Sequence, residues 1–286
     1  MIKIAYFWTW EFSKNILESL INSNKVDIKL TVSQIDKPIW RKKILKQTPV
    51  KILSQKYNIE CFQPKKLNDE NFINKLQKQE LDFLIVVAYW KIIPKSILNI
   101  PKYYPINIHW SILPYYRWAS PIQESLKNWD KKIWLTIMKM SEWMDEGDIF
   151  DIKKINIDIK DKTPDIFKKF EKIAGEFLLT VLEKIVSWQI KQTPQNHKEA
   201  TYCKKIQKED WKIDFQKENI LQIYNKFRAY YPWPWIYIFY KQKKLDIIDC
   251  FFYENEFCFD ENFKLWDVVE FENDWKKEIW ILCVRW

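Results

Sequence analysis

Glycine is nearly missing from this chain. Only 2 of its 286 residues are Gly, where an average composition of ~7% would supply roughly 20. Arginine is scarce as well: Arg41, Arg117, Arg228 and Arg285 stand against heavy use of Lys. The formal charge of +9 is therefore carried by lysine. It suits a polyanionic partner, but a composition rich in Lys, Ile, Asn, Tyr and Phe is also what an AT-rich genome produces, so charge alone selects no function. The 5 cysteines, Cys61, Cys203, Cys250, Cys258 and Cys283, are odd in number and show no C-x-x-C spacing. They support neither a disulfide framework nor a zinc site. No apolar run reaches the ~18 residues that span a bilayer. The start, Met1 to Phe7, is apolar but meets Glu11 too soon for a signal peptide, and it reads as a buried first strand of a cytoplasmic protein.

What the chain has in excess is tryptophan, with 17 residues. The surplus matches the glycine deficit, and many of these tryptophans stand where backbone chemistry asks for glycine. Asn128-Trp129, Asp210-Trp211 and Asp274-Trp275 occupy the place of the N-G and D-G dipeptides of tight turns, which need φ > 0. A helix opening at Thr163-Pro164, an N-cap followed by proline at the first position, stops at Trp188, where a left-handed glycine is expected. We read most of these positions as glycine in the living cell, encoded by a reassigned codon and rendered as Trp in this sequence. Trp233, between Pro232 and Pro234, reads as a true tryptophan.

Along the chain, residues 2–7 and 26–32 read as strands, 33–48 as a polar basic loop and 49–57 as a helix. The run Leu84-Ile-Val-Val-Ala88 reads as a fully buried strand of a parallel sheet, and 106–109 as another. Strands alternating with helices predict a doubly wound α/β domain. After the long helix, KQTPQNHKEATYCKK has the look of an interdomain linker. From about 205 one helix (217–229) is followed by short strand-like runs, which predict a small barrel-like module.

The chemistry concentrates in residues 105–123, PINIHWSILPYYRWASPIQ. Asn107 and His109 are two residues apart, so on a strand an amide and an imidazole project from the same face. Open α/β sheets bind ligands outside the carboxyl ends of their strands. Asp145 follows in SEWMDEGDIF, an acid-rich loop that keeps Gly147.

NIHWSILPYYRWASPI resembles the signature of the folate-dependent formyltransferases, and MSEWMDEGD follows at that family's distance. VVAYWKIIP at 86–94 is similar to a further family motif. YCKKIQKEDWKIDF and RAYYPWPWIY look like the linker and second-domain motifs of the branch that acts on methionyl-tRNA. At Trp8, Trp90, Trp118, Trp134, Trp143, Trp188, Trp211 and Trp235 the family pattern has Gly. The resemblance spans essentially the whole chain. It implies a Rossmann-like, mostly parallel α/β sheet followed by a small OB-like β-barrel. The expected boundaries are a catalytic domain at 1–190, a basic linker at 191–207 and a tRNA-binding domain at 208–286. Family members usually continue a strand or more beyond the position of Trp286, so that last domain is expected to be cut short.

The resemblance also implies the reaction. A formyl group passes from the co-substrate 10-formyltetrahydrofolate to the amino group of methionyl-initiator tRNA, without a metal. Asn107 and a protonated His109 would donate to the tetrahedral oxyanion. Asp145 would hold the imidazole and help relay the proton that the amine loses. Ser111, Ile112, Leu113 and Pro114 would form part of the folate site. Ala88, Tyr89, Ile92 and Ile93 would either wall the pterin pocket or belong to ordinary core. Arg117 is left between a structural pair with Asp145 or Asp148 and contact with an anionic substrate.

Residues 33–46, SQIDKPIWRKKILK, resemble the basic loop of the methionyl-tRNA branch, one residue shorter than usual. Arg41, Lys42 and Lys43 would reach the acceptor stem, Arg41 through its bidentate fork. Lys204 and Lys205, with Lys198, Lys208 and Lys212, would hold the tRNA body without reading its sequence. A monomer is expected, with no membrane partner. A purine-pathway or sugar-nucleotide formyltransferase, or a non-catalytic tRNA-binding protein with this fold, remain the alternatives. The second domain and the basic loop argue against the first, and the basic loop and the Pro232-Trp-Pro234 motif against the second.

Overall fold

A computed structural model describes residues 1–9, 13–39, 44–89, 91–250, 268–273 and 276–281. The chain divides into two compact units. The first comprises Met1–Ile122, Lys131–Asp158 and Asp165–Lys205, the second Gln123–Asp130, Ile159–Pro164 and Ile206–Trp286.

The elements run β1 (Ile2–Trp8), α1 (Ser13–Asn22), β2 (Val26–Val32), β3 (Lys37–Ile39), β4 (Ile44–Lys46), α2 (Pro49–Lys56), β5 (Cys61–Phe62), α3 (Glu70–Gln77), β6 (Phe83–Val87), α4 (Lys95–Leu98) and β7 (Tyr104–His109). They continue with β8 (Arg117–Trp118), α5 (Pro121–Lys127), β9 (Lys132–Lys139), β10 (Ile149–Asn156), α6 (Thr163–Val186), β11 (Tyr202–Cys203), α7 (Ile220–Tyr230), β12 (Tyr237–Tyr240), β13 (Lys243–Asp246), β14 (Val268–Asn273) and β15 (Lys276–Ile281).

A seven-stranded sheet, in the order β10-β9-β7-β6-β1-β2-β5, organises the first unit. The five strands from β7 to β5 are parallel, and β9 and β10 add an antiparallel edge. Every residue of β6, Phe-Leu-Ile-Val-Val, is buried, as a strand covered on both faces requires. On one face Ala5, Phe7, Leu30, Val32, Leu84 and Val86 pack with Phe72 and Leu76 of α3 and Ile97 and Leu98 of α4. On the other, α1 buries Ile16, Leu17 and Leu20, and the Tyr6 hydroxyl donates to Ser13 O. There α6 crosses α1 at Gly175, where a Cβ would stand 2.5 Å from Ser19 Cβ. No side chain fits between the two helices at that point.

The chain builds β1, β2 and β5 outward in one direction and then returns to lay β6 on the other side of β1. The switch point lies where Trp8 pairs with Val87. In such sheets the crevice outside the strand ends at this point takes ligands.

Several expectations need amendment. Residues 33–48 are not all loop, since β3 and β4 pair as a short antiparallel hairpin. Arg41, Lys42 and Lys43 between them lie outside the described residues, as do Trp10, Trp90 and Trp275. The pair β9–β10 was not anticipated; β10 leaves Lys153 and Lys154 exposed and carries the weak apolar signal of an edge strand. Residues 191–205, polar and basic in sequence, run back over the first unit. Thr193 bridges to Ile149, and β11 pairs in parallel with β8.

In the second unit Asn219 and Gln222 form a reciprocal capping box at the start of α7. The described strands make two hairpins, β12–β13 and β14–β15. Arg228 is only 1% exposed. Its Nε donates to Asp161 O at 2.8 Å and its Nη1 to Asn225 Oδ1 at 3.1 Å, so this arginine serves the interior rather than a surface partner.

The backbone bears directly on the tryptophan surplus. Trp118, Trp129, Trp188 and Trp235 have φ of 77°, 59°, 59° and 69°, in the left-handed region that glycine adopts freely and other residues do not. Trp188 ends α6 in a glycine-type cap: Gln189 N donates to Lys184 O at 2.8 Å and Trp188 N to Ile185 O at 3.1 Å. Trp211 departs from the expectation. It closes a 3₁₀ turn, Lys208–Trp211, and has no left-handed φ. Its indole Nε1 is buried without a hydrogen-bond partner.

Candidate active site

Strand β7 places the two polar side chains singled out by the sequence. Its alternation turns Ile106 and Ile108 to one buried face and Asn107 and His109 to the other. Trp110, the next residue, packs on Phe170 and Phe167 of α6 with ring centroids 5.0 and 6.4 Å apart. The helix layer thus takes up this indole. Trp118 is 47% exposed and lies on the Tyr202 ring at 4.5 Å.

Asp145 arrives from the connection between β9 and β10. Its Oδ1 lies 3.5 Å from Asn107 Nδ2 and 3.7 Å from His109 Nδ1, and its Oδ2 accepts from the Trp118 N–H at 2.9 Å. His109 is buried, and its Nε2 lies 2.9 Å from Tyr116 O. A carbonyl oxygen can only accept, so Nε2 carries hydrogen and Nδ1 is the nitrogen turned toward Asp145. The separations of 3.5 and 3.7 Å exceed those of good hydrogen bonds. Amide and imidazole therefore converge on one carboxylate oxygen at long range, and contacts at active sites commonly tighten only when substrate is present.

Strained backbone gathers here. Ala88, Tyr116, Trp118, Ser120 and Asp145 all have positive φ, from 48° to 77°, and such residues concentrate at functional sites. Hydrogen bonds hold the strain in place: Ser111 Oγ donates to Tyr115 O at 2.6 Å, and Tyr116 N donates to Thr201 Oγ1 at 2.8 Å.

The residues read as folate contacts divide. Because β6 and β7 are parallel neighbours, the turn at Ala88 and Tyr89 and the loop Ser111–Pro114 leave the sheet at the same edge. Ser111, Leu113 and Pro114 are buried and Ile112 is half-buried. The Tyr89 ring stands edge-on to Phe7 at 5.5 Å. Its hydroxyl and that of Thr9 are buried with no hydrogen-bond partner, and burial pushes the Tyr89 phenol up to about 12. Ile93 turns into the core, whereas Ile92 is 78% exposed. Lys204 and Lys205 are both exposed. Among the described residues no group of His, Cys, Asp and Glu side chains is placed to hold a metal ion.

Arg117 pairs with neither Asp145 nor Asp148. It is fully buried; its Nη1 meets Glu146 Oε1 at 3.3 Å, and its Nε and Nη2 donate to Gln195 Oε1 at 3.3 and 2.8 Å. Gln195 went unnoticed in the sequence, because a glutamine in a polar stretch carries no local signal of burial.

Gly147 is sterically required. A Cβ there would stand 1.8 Å from Lys139 O, beside the Lys139 N to Asp148 O hydrogen bond of 2.8 Å. Gly147→Ala is expected to cost about 1–3 kcal/mol, as overpacking does, and to shift the Asp145 loop. A urea midpoint equal to that of the parent would count against this.

The site can be compared with known proteins. Residues 2–182 match the formyl transferase family, and residues 205–283 match its C-terminal domain. The chain belongs to the formyl transferase family. It is 38% identical over 253 residues to the methionyl-tRNA formyltransferase of Sulfurimonas denitrificans, covering 87% of this chain and 81% of that protein. In fold this formyltransferase superposes on the methionyl-tRNA formyltransferase from Clostridium thermocellum with a TM-score of 0.61, at 17% identity over 99% of this chain and 100% of the other. A sugar 3N-formyl transferase solved in the presence of dTDP and 5-N-formyl-THF shares the fold at a TM-score of 0.64, with 19% identity over 96% of this chain and 92% of the other.

Proposed function

We propose that this formyltransferase moves a formyl group from 10-formyltetrahydrofolate to the amino group of methionyl-initiator tRNA. The observation that carries the reading is the convergence of Asn107, His109 and Asp145 at the carboxyl end of β7, whose neighbour β6 pairs with β1 at the switch point. Relatives named for this reaction, 35–41% identical over most of the chain, support the choice of acceptor.

Each group has a chemical task in acyl transfer. Asn107 donates its amide N–H to the formyl oxygen as negative charge develops there. The Nδ1–H of the imidazolium form of His109 donates to the same atom. Both are fixed in advance, Asn107 by the strand and His109 by Tyr116 O, so little reorganisation is needed when charge appears. Asp145, beside the imidazole, takes the proton released by the attacking amine and passes it to N10 of the folate as the bond from N10 to the formyl carbon breaks. The loop Ser111–Pro114 and the wall from Ala88, Tyr89 and Ile92 receive the folate, with Ile93 backing that wall from the core. A flat heterocycle suits an apolar slot with few polar groups, and the unpartnered Tyr89 and Thr9 hydroxyls offer it hydrogen bonds.

Residues 1–190 carry the reacting groups, the basic linker at 191–207 packs along them up to Lys205, and 208–286 serve as the tRNA-binding domain. Arg41, Lys42 and Lys43 meet the acceptor stem, and Lys204 and Lys205 meet phosphates along the tRNA body. The protein works as a cytoplasmic monomer. The test supplies labelled 10-formyltetrahydrofolate with charged initiator tRNA, a sugar-nucleotide amine or glycinamide ribonucleotide in parallel. Label is expected on the tRNA alone, with affinity that falls as salt rises. Label on either small acceptor, or on none of the three, would overturn the reading.

A further inference from the structure

We propose that Gln195 is a positioning residue for Asp145, fixing the loop that presents its carboxylate to Asn107 and His109. The inference rests on the reading of those three groups as the transfer site. Gln195 is 6% exposed. Its Nε2 donates to Asp145 O at 2.9 Å and to Gly147 O at 2.7 Å, using both amide hydrogens. Its Oε1 accepts from Nε and Nη2 of Arg117.

The orientation of that amide is dictated by chemistry. A guanidinium has donors and no acceptor, and a carbonyl has acceptors and no donor. Turning the amide over would set its NH₂ against the guanidinium and its oxygen against two carbonyls, losing all four contacts at once. In a buried place each unmet group is costly. The amide is therefore a one-way adaptor between Arg117 and the loop.

Three consecutive residues are tied to this Arg–Gln pair: Asp145 and Gly147 through their carbonyls, and Glu146 through its carboxylate. Residue 118, next to Arg117, supplies the N–H that holds Asp145 Oδ2. The pair thus acts on both the backbone and the side chain of Asp145, which sits at φ 59°. Gln195 is itself held by its chain neighbours. Thr193 exchanges hydrogen bonds with Ile149 at 2.7 and 2.8 Å, and Arg117 N donates to Thr201 O at 2.9 Å.

The test measures kcat and KM for both substrates in Gln195→Ala and Gln195→Glu, each alone and combined with Asp145→Ala. Gln195→Glu keeps an acceptor for Arg117 and puts oxygen against the loop carbonyls, so it serves even if Gln195→Ala does not fold. Each variant is expected to lose about 10- to 100-fold in kcat, the usual effect of losing an outer support or of a ~1 Å misplacement. Both KM values should stay within about threefold. In the Asp145→Ala background neither change should lower kcat further, because residues that act as a unit are non-additive. A kcat within about threefold of the parent, a loss confined to KM, or losses that multiply with Asp145→Ala would overturn the proposal. Full turnover in Asp145→Ala alone would instead overturn the site reading beneath it.

Discussion

Asn107→Ala and His109→Ala are each expected to lower kcat for formyl transfer by about 10²–10³, the usual effect of losing one donor to a developing oxyanion. The two side chains leave the same strand face and approach the same carboxylate oxygen, so they should behave as one device. Removing both should cost less than the product of the single losses. The folded state should change little for Asn107, whose contact to Asp145 is long at 3.5 Å. His109 is more deeply set, and its Nε2 bond to Tyr116 O anchors a strained residue, so some loss of stability is expected there. Single-turnover rates with saturating substrates, read beside urea midpoints, separate the two effects. Turnover within about threefold of the parent in either single variant would remove these residues from the chemistry.

The second large effect concerns the tryptophans. Trp188 is 79% exposed and Trp118 is 47% exposed, so truncating either side chain sacrifices little packing. Both sit in left-handed backbone, which costs an L-residue roughly 1–2 kcal/mol; glycine escapes that strain but loses about 0.5–1 kcal/mol in chain entropy. Trp118→Gly and Trp188→Gly together should therefore raise stability by about 1–2 kcal/mol. Trp233→Gly, at an exposed position without positive φ, should give no gain. Relief at residue 118 should also raise turnover, because its N–H holds Asp145. The same reasoning expects glycine at 118, 129, 188 and 235 in protein isolated from its natural source. Peptide mass spectrometry that finds intact indoles at those positions, or a urea midpoint that falls in Trp188→Gly, would refute it.

Most of the parallel sheet was legible, because a strand buried on both faces writes itself as an unbroken apolar run, as at Leu84–Val87. Asn107 and His109 were legible as a pair through the period of two, and Asp145 through its place in a family motif. The left-handed positions at 129 and 188 could be read from turn and cap chemistry even with the wrong residue written there. The antiparallel edge was missed because β10 faces solvent along much of its length and its lysines mask its alternation. The partners of Arg117 were missed for a different reason. Glu146 and Gln195 meet it through contacts across 29 and 78 positions of chain, and no local pattern encodes a meeting of that kind.

The return of residues 193–203 across the first unit has a practical consequence for dividing this enzyme. The N-terminal family match ends at residue 182, and a fragment cut there, or anywhere before Gln195, would discard that glutamine, the threonine at 201 and the short strand beside Arg117. Such a fragment would keep Asn107, His109 and Asp145 and still let the acidic loop wander. A working swap of C-terminal modules between relatives should join after Lys205, so that each catalytic half travels with its own clasp.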